Sequence, residues 1–242
     1  MNGRIERPGE SRLILPRVGK IKIGTKSERG YPMSVDYFIP DGKYSSFFTK
    51  AYGDKPSTIQ IIFPSDNCAD VCNEEYEYRD DEGKIIAKGD GQTFQVWSKT
   101  HYVTKTVAEV PDLMQKIQDC FPTKISKSTG NGWKVRLTLS FVVPLVREVG
   151  GVWVFESNGN VSTIPNICNT FDAMLSQRGS VKGVIFDLNV SFAKSQKPGD
   201  KSRFPVVTLI PNQSQENIAK ITEAMKPICA FPPKNSQKVL EN

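Results

Sequence analysis

The stretch from Glu75 to Val107 constrains the fold more tightly than any other part of the chain. It reads EYEYRD, DEG, KIIAKGDG, TFQVWS and HYVTKTV, with apolar and polar residues alternating inside each run. Alternation with period two puts every second side chain on one face of a strand. The runs are separated by Asp, Gly and Ser at spacings too short for a crossover helix, so they read as an antiparallel meander. Asp80, Asp81 and Glu82 stand at the first of its turns. Asp and Gly favour turn dihedrals, so these acids are read as a hairpin tip rather than as a metal or acid–base centre. As an exposed cluster they are candidate contacts for a basic protein partner.

The remaining elements surround that meander. VGKIKIG (18–24) alternates and sets Lys20 and Lys22 on one face; KYSSFFTKAYG is a short helix stopped by Gly53; TIQIIF (58–63) is a strand. EVPDLMQKIQDCF (109–121) has Pro111 in a first turn and Leu113, Ile117 and Cys120 at helical spacing. WKVRLTLSFVVPLV places Lys134 and Arg136 with Thr138 and Ser140 on one strand face, and Trp133, Val135, Leu137, Leu139 and Phe141 on the other. GVWVFES is a further strand. STIPNICNTFDAMLSQRG is a helix with Ser162 or Thr163 as cap, Pro165 in its first turn and Gly179 as its stop. VKGVIFDLNVSF and RFPVVTLIP are strands, and Asn212 or Ser214 caps a last helix with Ile218, Ile221 and Met225 facing inward.

Strands dominate and helices are interspersed without regular alternation. The expectation is α+β, a mostly antiparallel or mixed sheet with three or four helices. The organisation expected is a loose tail (1–16), an α+β half carrying the acidic meander (17–125), a flexible loop (126–132), a basic α+β half (133–230) and a tail (231–242). The two halves stand as separate domains or as parts of one.

Charge follows the same division. The chain carries a net +6. Residues 59–120 hold 6 basic and 12 acidic residues, whereas residues 121–242 hold 15 and 8. A basic second half beside an acidic middle suits a polyanion on one surface and a basic protein on another. The basic N-terminus has no apolar signal-peptide core, and no run approaches a membrane span, so the expectation is a cytoplasmic protein without a membrane partner. Five cysteines, odd in number and mostly scattered, do not make a disulfide framework. Cys68 and Cys72 could offer two thiolates from one helical turn, but a structural zinc site wants four ligands and the chain has a single histidine, His101. They are read as free thiols, with no metal and no cofactor.

Catalytic signatures are missing from the sequence. It has no GxxxxGK[ST] loop and no GxSxG elbow, and one histidine severely limits a nucleophilic triad. The more informative segment is AKSQKPGDKSR, between Phe192 and Phe204. A tight hairpin needs only a couple of residues, yet this loop carries Lys194, Lys197, Lys201 and Arg203 against one acid, Asp200. Cations spaced by Ser, Gln, Pro and Gly suit phosphate contacts. Lys124 and Lys127, Lys134 and Arg136, and Arg178 and Lys182 are candidates to extend that surface, and Trp133, Trp153 and Phe204 are candidates to stack on bases.

The segments LPRVGKIKIGTKSERGYPMSVDYFIP, AYGDKPSTIQIIFP, GVWVFESNGN and AKSQKPGDKSRFPVVTL occur in that order over nearly the whole chain. Together they resemble the phage-encoded family of recombination-directionality-factor-like proteins, partners of large serine integrases in some actinophages. The resemblance implies a non-enzymatic phage or mobile-element protein that binds integrase on its attachment sites and switches integration to excision. Actinophage members tend to carry a cysteine-rich insertion resembling a zinc site; this chain departs from them with an acidic hairpin series and only Cys68 and Cys72 closely paired. The partners implied are DNA and a serine integrase, or another phage recombination or replication protein. Two other readings stand beside it: a single-stranded DNA-binding or annealing protein of a phage replication module, and a metal-dependent hydrolase.

Overall fold

The computed structural model describes residues 15–122, 132–195 and 198–212. The fold is α+β and dominated by sheet, as the alternation predicts. Along the chain the elements are β1 (Arg17–Lys26), β2 (Pro32–Asp41), α1 (Ser45–Tyr52), β3 (Thr58–Ile62), α2 (Cys68–Val71), β4 (Cys72–Arg79), β5 (Ile85–Gly89), β6 (Thr93–Trp97), β7 (Tyr102–Thr106), α3 (Leu113–Cys120), β8 (Lys134–Phe141), β9 (Val152–Ser157), α4 (Thr163–Arg178), β10 (Ile185–Lys194) and β11 (Arg203–Pro211). Residues 1–14 of the first tail, the last tail, the loop lysines Lys124 and Lys127, Lys197, and the helix expected after Asn212 lie outside the described residues.

Eight strands form one mixed sheet in the order β2-β1-β9-β8-β4-β5-β6-β7, and three form a second in the order β11-β10-β3. The meander β4–β7 pairs antiparallel throughout, while β1 runs parallel to β9. Strands β8 and β9, late in sequence, therefore sit between β1 and β4. An isolated bridge between Ile62 and Val142 ties the two sheets together.

One large core draws on both sheets and on α4. Leu137, Leu139 and Phe141 of β8 and Phe155 of β9 join Ile59 and Ile61 of β3, Leu188 of β10, Val207 of β11, and Ile167 and Phe171 of α4. Phe63 meets Phe171 and Phe186 edge-on at 5.1 and 5.2 Å, an arrangement that aromatic quadrupoles favour. A smaller core lies between the meander and α3, where Tyr78, Ala87 and Phe94 pack on Leu113 and Ile117 under Trp133. Close approach explains Gly19: a Cβ there would lie 2.4 Å from a ring carbon of the buried Trp153.

Helix ends depart from expectation in two places. Helix α3 starts at Leu113, after Asp112 in a left-handed conformation (φ 63°), so Pro111 precedes the helix. With eight residues its buried stripe ends at Ile117, and Cys120 is exposed. Helix α4 has Pro165 in its first turn and Gly179 at its left-handed end (φ 74°), as expected, but Ser162 makes no side-chain cap. Thr163 is committed elsewhere, because its Oγ1 accepts the N–H of Val207 at 3.1 Å.

That bond seals a sheet edge. Val190 donates to Ser57 O at 2.8 Å, toward β3, so the alternation of an antiparallel ladder turns the N–H of Val207 outward from β11. Pro205 and Pro211 share its parity and have no N–H. Prolines and a captured donor leave the edge little with which to recruit another strand. We predict that Thr163→Val, which keeps shape but strands the Val207 donor in a site where Thr163 is 2% exposed, costs about 1–3 kcal/mol in urea unfolding. Thr163→Ser should stay close to the parent, and equal midpoints for the two variants would contradict the assignment.

Candidate functional site

The sequence-derived cations separate into three places. Lys194 and Arg203 face each other directly at the end of the β10–β11 ladder. The ladder continues with Ser195 donating to Ser202 O at 2.9 Å, and Gly199 supplies a positive φ of 79° in the turn. The one acid of the loop is spent on this turn. Asp200 Oδ1 accepts the Ser202 N–H at 2.8 Å, and that bond, helped by the Ser195 and Ser202 hydroxyls, holds its carboxyl below the usual range. The Arg203 guanidinium lies over the Phe192 ring, 5.4 Å from its centre, which orients it. Lys194, Lys201 and Arg203 form no ion pair with an acid among the described residues. Phe204 follows on the opposite face of the ribbon and is 40% exposed.

Lys134 and Arg136 stand instead on the outer face of the large sheet, opposite Glu77 and Glu75 in register. Arg136 is held between two carboxylates: it bonds Glu156 on one side, and its Nε lies 3.8 Å from Glu77 Oε2 on the other. Glu156 also takes Lys20 Nζ at 3.0 Å and Arg17 Nη2 at 3.6 Å. Glu77 receives Arg79 through Nε and Nη2 at 3.0 and 2.8 Å, and Glu75 meets Lys88 at 3.6 Å. The outer face is therefore a lattice of alternating charge. Burial alone would raise the pKa of Glu156, but the Lys20 ammonium and Arg136 guanidinium outweigh it and hold the carboxyl below its ordinary value.

Arg178 ends α4 and Lys182 follows it, at the start of β10 rather than its tip. At a rise of about 3.3 Å per residue, the ten residues of β10 set them roughly 30 Å from Lys194. Lys182 is also engaged locally. Asp66 accepts the N–H groups of Val181 and Lys182 at 2.7 and 3.1 Å and lies 3.9 Å from Lys182 Nζ.

At the acidic tip, Asp80 Oδ1 accepts the N–H groups of Glu82 and Lys84 at 3.0 and 2.7 Å, and Glu82 pairs with Lys84 at 2.6 Å. Asp80 and Asp81 line an open cleft of about 290 Å³ with Arg79, Lys134 and Arg136. Two of the three candidate acids and two of the predicted cations thus meet in one cleft. Of the three candidate stacking aromatics, Trp153 is 1% exposed, and Trp133 packs on Tyr78 and Phe94 while donating to Met114 O at 3.1 Å. Phe204 alone of the three is presented to solvent.

Cys68 is exposed and Cys72 buried. A hydrogen bond with Cys168, from α4, and burial push the Cys72 thiol up. Among the described residues no cluster of three His, Cys, Asp or Glu could hold a metal ion. Among them, too, no helix is long and apolar enough to cross a membrane.

Sequence reasoning missed Arg17 and Glu156 as members of the outer-face lattice. Lys20 and Lys22 carried a signal in their alternation, but their partners depend on the parallel β1–β9 pairing. We predict that Glu156→Gln lowers stability at pH 7 by about 1–2 kcal/mol. A carboxyl whose pKa is depressed on folding stabilises above its unfolded value and loses that contribution as pH falls through the folded one. The gap between parent and variant should therefore narrow below 4.5, the ordinary carboxyl value, and a gap that persists in denaturation at lower pH would contradict the lattice.

A family model described as Gp3-like, recombination directionality factor-like, matches residues 18–212. No curated protein and no solved structure matches the chain. The matched residues span both sheets and the cationic hairpin, and the chain belongs to this family.

Proposed function

We propose that this member of the recombination directionality factor-like family is a non-enzymatic phage or mobile-element accessory protein that binds a serine integrase–DNA complex and biases site-specific recombination toward excision. A factor of this kind shifts the equilibrium only by binding one synaptic arrangement better than the other. The observation that carries the reading is the β10–β11 tip. Lys194, Lys201 and Arg203 are presented without a neutralising acid, because Asp200 is committed to the turn. These side chains contact phosphate or an acidic surface of the complex. The tip at Asp80, Asp81 and Glu82 meets a basic segment of the integrase. Arg136 serves the sheet lattice, and Lys134 stands beside it.

A second reading, a single-stranded DNA binder of a replication module, is favoured by the exposure of Phe204 at the cationic tip, on the face opposite Arg203. Stacking on an aromatic beside cations is the usual means of holding unpaired bases. Gel shifts with single-stranded DNA, duplex attachment DNA and integrase separate the two. The first reading predicts weak binding to free DNA and a supershift of integrase complexes. The second predicts tight, salt-sensitive binding to oligonucleotides alone, lost in Phe204→Ala.

Under the first reading, replacing Lys194, Lys201 and Arg203 together by Ala abolishes the supershift at moderate salt. If phosphates are the contact, it also flattens the dependence of log K on log salt by about 2–3. A triple variant that supershifts as the parent does would remove the hairpin from the function.

A further inference from the structure

The β1–β2 hairpin carries a second surface, of different chemistry. Its register breaks between Lys22, which faces Ile39, and Gly24, which faces Ser34. Strand β2 thus uses more residues than β1 over the same stretch. The surplus turns Val35 and Phe38 into the core, where they are 6% and 0% exposed, and Phe38 donates to Pro56 O at 2.8 Å. The break leaves an open groove of about 670 Å³ along this edge of the large sheet, with Pro32, Met33, Ile39 and Pro40 in its lining.

Beyond the groove the chain turns in a locked conformation. Ser27 N donates to Tyr31 O, and Gly30 N to Ser27 O, both at 2.8 Å; Tyr31 N donates to Ser27 Oγ at 3.1 Å. Gly30 supplies the positive φ of 80°. The turn holds Tyr31 69% exposed, and Met33, two residues on, is 49% exposed. A tyrosine side chain has only two χ angles, so on a locked backbone it loses little entropy on docking, and such anchors dominate protein interfaces.

Within the groove's lining the charge leans positive, with Lys22 and Lys26 against Asp41, while Asp36 is exposed further along β2. Lys22 and Lys26 line the groove, and its one carboxylate, Asp41, is paired with Lys22. Lys26 forms no ion pair among the described residues, while Glu28 and Arg29 offset each other on the turn. The unpaired Lys26 beside an apolar floor complements an amphipathic segment in which apolar side chains are flanked by Asp or Glu.

We infer that the β1–β2 hairpin is a protein-docking surface and that its occupant is an acidic, amphipathic segment of the recombinase. The inference rests on the function proposed above, from which it can be separated by experiment. A photo-crosslinking amino acid is placed at position 31 or, as a control on the other sheet, at position 210, where Ile210 is 50% exposed. Each protein is mixed with its serine integrase assembled on attachment-site DNA. Crosslinks from position 31 should map to an integrase peptide rich in Asp or Glu and apolar residues, and those from position 210 should not. Tyr31→Ala with Met33→Ala should weaken the complex at least tenfold, in line with the loss of an anchor, with thermal stability unchanged. Lys26→Glu should weaken it more at low salt than at high salt. If the double variant binds as the parent does, or position 31 crosslinks to DNA or to a second copy, the docking surface is overturned and the proposed function stands. If the parent forms no complex with integrase, both fall.

Discussion

Strand β8 is where the two faces of this protein are decided. It lies between β9 and β4 in the large sheet, and its alternation commits Leu137, Leu139 and Phe141 to the main core. The same alternation forces Arg136 outward between Glu77 and Glu156, one on each neighbouring strand. Arg136 is 22% exposed there, and a partly buried cation that loses its partners costs more than the pair was worth. On the outer sheet face Glu75, Glu77 and Glu156 between them engage Arg17, Lys20, Arg79, Lys88 and Arg136. These paired cations are structural groups first, and a polyanion would have to compete for them with carboxylates already in place.

Under the proposed function, long-range charge recognition falls to the hairpins, and the sheets hold these out. The β10–β11 ribbon extends past the core to Lys194 and Arg203, while Pro205, Pro211 and the Thr163–Val207 bond quiet its free edge. Strand β2 touches both β10 and β11, and Phe38–Pro56 and Ser57–Val190 bonds link the two hairpins through the segment before β3. The cationic tip and the Tyr31–Met33 turn are therefore carried on connected parts of one framework. Their chemistries differ, the first offering cations on one face with Phe204 on the other, and the second an aromatic and a thioether beside Lys26.

Much of this was legible from residues alone, where local rules decide. Period-two alternation located the meander, and β8 divided its faces as its sequence reads. Gly53 and Gly179 end α1 and α4 where the chain needs left-handed or extended glycine geometry. The cationic hairpin was visible because its charges are adjacent in sequence. Long-range pairing was not visible. Nothing in VGKIKIG states that it runs parallel to GVWVFES, so the bond from Lys20 to Glu156 could not be read. Arg178 and Lys182 looked like neighbours of the hairpin because β10 connects them, yet a strand separates its ends by its full length. Trp133 and Trp153 sat in apolar patterns and pack in the interior, whereas Phe204 shares a ribbon face with Ser191 and Val206 and stays accessible.

Under the proposed function, unpaired hairpin cations, not the lattice cations, meet the recombination complex. Lysine footprinting by amine acylation and mass spectrometry reads those side chains directly, in the free protein and in the presence of integrase on attachment-site DNA. Lys194 and Lys201 are expected to become protected in the complex while the paired Lys20 and Lys88 react at their free rates. Protection of Lys20 and Lys88 with unchanged reactivity at Lys194 and Lys201 would contradict this.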